Sequence, residues 1–74
     1  MVRTVNDMGP GETAFIADIV DEQLSVKLME MGFLPGVAVR YLFAAPLGDP
    51  LCVSVLHYDL VMRKEEAAQI QIFN

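Results

Sequence analysis

The sequence predicts a mainly β fold, a small and partly open barrel of about five short strands with one α-helix between the first and second. Three observations carry this prediction. Apolar and polar side chains alternate with period two in several short runs, one stretch repeats its apolar residues at helical spacing, and Gly or Pro stands at nearly every joint. A sheet of about five strands hides its edges by curling on itself.

Gly9-Pro10-Gly11 is the first turn signal, and Val5 and Met8 ahead of it are expected to pack back on the core. Residues 14–20 then read as a strand containing Phe15, Ile16, Ile19 and Val20. Asp21 is placed to cap the following helix, its carboxylate accepting from free backbone N–H groups, and Glu22 puts negative charge in the first turn. Leu24, Leu28 and Met31 fall at i, i+4 and i+7 and share one side of that helix. Gln23, Lys27 and Glu30 form the polar side, where Lys27 and Glu30 are the one possible ion pair. Val26 and Met29 do not belong to that polar side; they widen the apolar side or leave part of it open to another protein.

The stretch from Leu28 to Gly36 turns the chain from helix into sheet. Gly32 stands where a left-handed cap ends the helix, and Phe33 and Leu28 are then the apolar pair that accompanies a Schellman motif. Pro35-Gly36 supplies the central residues of a type II turn, since Pro fixes the first φ and Gly accepts the positive second one. From residue 37 the period becomes two, with Val37, Val39, Tyr41 and Phe43 on one face. The run 45–50 carries two prolines and ends this strand, with Gly48-Asp49 as the reversal. Leu51, Val53 and Val55 alternate with Cys52, Ser54 and Leu56 on the return; His57-Tyr58-Asp59 makes the next turn. Residues 60–62 form a short strand, 63–68 one exposed helical turn, and Ile70 and Ile72 a last strand. An SH3-like barrel accommodates this order better than a flat sheet with a helix on one face, and no internal repeat is present.

Seventy-four residues make one domain, spanning 1–74, with a small core, because a chain of this size buries only about 60% of its unfolded surface. Such a body has no room for a deep catalytic cleft. The composition, 54% hydrophobic and 20% charged, is that of a globular chain. A net charge of -5 repels phosphate and anionic lipid, which argues against nucleic acid as a partner. A single cysteine, Cys52, points to the reducing cytoplasm. The longest apolar run, 41–47, is far short of the ~20 residues that span a bilayer, so direct membrane insertion is not expected.

The run Leu28-Met29-Glu30-Met31-Gly32-Phe33-Leu34-Pro35-Gly36, then Pro46-Leu47-Gly48-Asp49-Pro50-Leu51, then Met62-Arg63 with Glu66-Ala67 and Ile70, resembles the FeoA family of ferrous-iron transport accessory proteins. The resemblance covers nearly the whole chain. It implies an SH3-like barrel, a cytoplasmic location and a partner, the ferrous-iron transporter FeoB, whose cytoplasmic part contains a GTP-binding domain. The same domain type occurs in metal-dependent transcriptional repressors, so the competing function is a regulatory domain of such a repressor. Two features depart from the family pattern: the helix has few basic residues, with Lys27 alone before Leu28, and His57-Tyr58 stands where relatives commonly have glycine.

Cys52, His57 and Asp49 are the plausible soft or borderline metal ligands near one hairpin, and a transition-metal site wants three or four convergent donors. Strict alternation sets Cys52 and His57 on opposite faces, so a buried cysteine and a turn histidine fit better. Fe2+ association rests on the family resemblance alone, and no bound cofactor is expected. A lone histidine, a lone cysteine and no Walker-type loop provide no nucleophile, base or phosphate cradle, so the chain is read as non-enzymatic. A groove for polyproline helices is hard to build from Tyr41 and Tyr58 without tryptophan. The apolar surplus, Met29, Phe33, Leu34, Leu47, Tyr58 and Phe73, exceeds what so small a barrel can bury. Met29, Phe33, Leu34, Leu47 and Tyr58 are therefore the expected partner-binding residues, with the cap loop 32–36 and the hairpin tip 45–50 foremost. The sequence leaves the oligomeric state open, a homo-oligomer included.

Overall fold

In the computed structural model, which describes residues 2–74, five antiparallel strands form one sheet in the order β4-β3-β2-β1-β5. The strands are β1 (Thr13–Ile19), β2 (Ala38–Ala44), β3 (Leu51–Val55), β4 (Tyr58–Met62) and β5 (Ile70–Phe73). Helix α1 (Glu22–Glu30) lies between β1 and β2, and a single turn, α2 (Lys64–Ala67), between β4 and β5. The sheet curls without closing, so β4 and β5 remain its edges. The N-terminal segment covers part of the β5 edge, through a bridge from Thr4 to Gln71 and an N–H of Ile72 donated to the Arg3 carbonyl at 3.0 Å.

The helix ends are as local chemistry dictates. The Asp21 carboxylate accepts from the Leu24 N–H at 3.0 Å. At the other end the N–H of Phe33 reaches the Leu28 carbonyl at 3.0 Å and that of Gly32 reaches Met29 at 3.1 Å, the two bonds of a Schellman motif, with Gly32 at φ +92°. The next turn closes through Val37 N–H to the Leu34 carbonyl at 3.0 Å, with Gly36 at φ +89° as a type II turn requires. It is tied to β1 at once, because Ile16 and residues 36 and 37 exchange two backbone bonds. Lys27 and Glu30 form no ion pair; among the described residues the one salt bridge joins Arg3 to Glu12.

The core gathers Val5, Ile16, Phe33, Val39, Val53 and Ile70, each fully buried, with Leu28 closing it from the helix. Four expectations are corrected. First, Phe43 does not share a face with Tyr41. A bulge between them breaks the alternation, so Ala44 turns toward the core while Phe43 is 60% exposed. Second, the β3–β4 reversal is not 57–59: Val55 pairs with Tyr58, leaving Leu56-His57 as a two-residue loop and making Tyr58 the start of β4. Third, the tight turn of the β2–β3 hairpin is centred on Pro46-Leu47, two residues before Gly48-Asp49, and is closed by Gly48 N–H donating to the Ala45 carbonyl at 2.7 Å. Fourth, the turn at α2 is not wholly exposed, since Ala67 is fully buried.

Arg3 and Glu12 tie the N-terminal segment to the start of β1 at 2.6 Å, and Glu12 also accepts the Gly9 N–H at 3.0 Å. The Arg3 guanidinium, then the Gly9 amide, holds the Glu12 carboxyl below its ordinary value of 4.5. A lowered folded value means that this stabilisation is complete above the ordinary value and is lost as pH falls through the folded one. The expected result is that wild type exceeds Glu12→Gln in urea midpoint at about pH 6 and that the difference shrinks toward about pH 2.5. Equal gaps at both ends would show that the contact is not ionic.

Candidate protein-docking surface

The Schellman bond pattern decides what the cap loop can show to a partner. It swings Phe33 back over Leu28, and Phe33 is 0% exposed. Phe33 is therefore a core residue and not a partner contact, contrary to the sequence expectation. The physical reason is the apolar pairing across the cap, which the loop uses to fix its exit direction. Leu34, one residue further, is 42% exposed, and Met29 in the last turn of α1 is 46% exposed.

The β3–β4 loop comes to the same place. A Cβ built on Gly32 would meet Leu56 Cδ1 at 2.6 Å and Tyr58 Oη at 3.5 Å, so these two side chains lie over the bare glycine. Leu56 holds φ +56°, a left-handed backbone that costs a branched residue about 1–2 kcal/mol. It is nonetheless 59% exposed. A strained backbone that presents an apolar side chain to water contributes little to the fold. The helix cap carrying Met29 and Leu34 thus meets Tyr58 and also Leu56, a residue not among those expected from the sequence. The turn signal the sequence carries, Asp59, lies beyond the loop, and Val55-Leu56-His57-Tyr58 itself lacks the Gly, Asn or Asp that marks positive φ.

Leu47 does not join this cluster. It is 94% exposed at the tip of the β2–β3 hairpin, beside Leu51, whereas the Gly32 cluster lies beyond Val55 at the other end of β3, about 14 Å along the strand. Phe73 is 52% exposed and stacks at 5.7 Å on Phe15 across the β1–β5 pair. Cys52 is 4% exposed yet lies outside the core cluster, between Val61 and Phe43 in register. Burial pushes its thiol up, with Asp59 adding to the shift. His57 is exposed in the two-residue loop, and among the described residues no three His, Cys, Asp or Glu side chains gather where a metal ion would bind.

The positive φ at Gly32 and the side chains above it make this glycine the least replaceable residue of the surface. Gly32→Ala is expected to lower stability by about 1–2 kcal/mol in urea unfolding, chiefly from the left-handed backbone, with Leu56 swinging aside. An unchanged midpoint would mean that the cap relaxes freely.

Comparison with known proteins adds independent findings. A sequence profile of the FeoA domain matches residues 3–73. The chain is 29% identical over 69 residues to the Fe(2+) transport protein A/Fe(2+) transporter FeoB fusion protein of Porphyromonas gingivalis, covering 92% of this chain and 8% of the fusion. It thus spans a small fraction of that curated relative. Among solved structures, the FeoA-like protein from Clostridium acetobutylicum superposes with a TM-score of 0.87 at 29% identity, over 96% of this chain and 84% of the other. Stenotrophomonas maltophilia FeoA, solved with zinc and described as a procaryotic SH3 domain protein, gives 0.84 at 25% identity, over 95% and 88% of the two chains.

Proposed function

The chain belongs to the FeoA family, and from that premise we propose that it is a non-enzymatic accessory protein of ferrous-iron transport that docks on the cytoplasmic GTPase region of a FeoB-type transporter and modulates iron uptake. The observation that carries the proposal is the fusion relative, in which one polypeptide joins a segment similar to this chain to FeoB. Fusion makes two modules permanent neighbours, and separate chains with the same task need a surface to reach the same proximity. Leu56 and Tyr58 over Gly32, with Met29 and Leu34 exposed on the helix cap on either side of it in sequence, have the required character: apolar, exposed and set on a hydrogen-bonded helix cap and a two-residue loop. A pre-ordered surface loses little conformational entropy on binding.

Docking of this kind works on the cytoplasmic side of the membrane, and among the described residues no helix is long and apolar enough to cross it. Fe2+ is the transporter's cargo in this scheme, and the chain contributes contact rather than chemistry. The test is titration of the chain into the purified cytoplasmic domain of the transporter, with and without a GTP analogue. Saturable binding supports docking, and no association in either nucleotide state contradicts it.

A further inference from the structure

We propose that the face of the sheet turned away from the core packs against the same face of a second copy of this chain, around a two-fold axis running along β3. Residues paired directly across an antiparallel ladder share a face, so the register fixes which side chains lie together. One row is Phe43–Cys52–Val61 across β2, β3 and β4. The next is Thr13–Arg40–Ser54–Asp59, and beyond it Phe73–Phe15–Ala38. Phe15, Phe43, Val61 and Phe73 are 40%, 60%, 62% and 52% exposed, so two apolar rows flank one polar row on an open face.

The polar row identifies the occupant. Arg40 and Asp59 stand on either side of Ser54, one strand away from it in each direction, and neither has an ion-pair partner within 4.0 Å among the described residues. A two-fold along β3 exchanges β2 with β4. It sets Ser54 over Ser54 on the axis, and Arg40 over Asp59 of the second copy and Phe43 over Val61, the last two pairs each formed twice. Both free charges are matched and Phe43 meets Val61 in one closed, isologous contact, while Phe15 and Phe73, on β1 and β5, lie outside the three overlapping strands. A two-fold running across the strands would instead oppose Arg40 to Arg40 and Asp59 to Asp59. Packed sheets lie about 10 Å apart, a gap that an Arg and an Asp side chain can bridge together. Leu56 of the Gly32 cluster borders Arg40 and Ser54 in one shallow surface pocket, so the two contacts adjoin, but association of the chain with itself is measured without the transporter and does not depend on that proposal.

The experiment is sedimentation equilibrium of the full chain from about 1 μM to about 1 mM, with folding of every variant checked by circular dichroism. A two-copy species is expected in wild type. Arg40→Asp and Asp59→Arg alone each set like charges in contact and weaken it at least about tenfold. The double variant Arg40→Asp/Asp59→Arg keeps the net charge and restores association to within about threefold of wild type. An equimolar mixture of the two single variants pairs where neither does alone, since every facing charge is then matched. A wild type that stays monomeric throughout overturns the proposal. So does association that the single variants leave unchanged, or that neither the double variant nor the mixture rescues.

Discussion

Phe33→Ala is expected to remove about 3–5 kcal/mol of stability, the cost of truncating a fully buried phenylalanine. A domain of this length has roughly 4–11 kcal/mol in total, at about 0.05–0.15 kcal/mol per residue. Phe33 also closes the helix cap over Leu28 and sits in the core beneath the junction of α1 and the sheet, so its loss removes packing and the loop's exit direction together. Urea unfolding followed by circular dichroism measures it. Leu34→Gln, one residue away and 42% exposed, should shift the same midpoint by no more than about 0.5 kcal/mol. Equal effects at the two positions would contradict the division between core and surface drawn at this loop.

The second large effect is on binding. Tyr58→Ala is expected to weaken association with the transporter's cytoplasmic domain by about 2 kcal/mol, roughly thirtyfold, as truncation of a central aromatic contact does. Leu56→Asn separates surface from strain. Asn accepts a left-handed backbone more readily than Leu, so stability should hold or rise while affinity falls. Affinity measured by calorimetry and stability by urea would move in opposite directions, which a purely structural role for Leu56 does not allow.

How legible was this in the sequence? The helix cap was fully so, because Asp21, Gly32 and Pro35-Gly36 act through bonds to near neighbours, and those bonds form as expected. The position of Phe33 is legible too, because its pairing with Leu28 across the cap already places it inside rather than among the exposed apolar residues. Exposure of Phe43 was hidden, since one extra residue in a ladder leaves no trace in the alternation until pairing shows which residue bulges out. Leu56 was hidden for a different reason. Positive φ at a branched residue is imposed by the two strands it connects, against its own preference. The face holding Arg40 and Asp59 depends on register between strands and so has no local signature.

Calorimetric titration of the chain into the transporter's cytoplasmic GTPase region, at several temperatures, decides whether the proposed docking occurs. Docking through the Gly32 cluster predicts saturable binding with a negative heat-capacity change, the mark of apolar burial, and its loss in the folded Tyr58→Ala variant. Absence of binding, or equal affinity in wild type and variant, would contradict it.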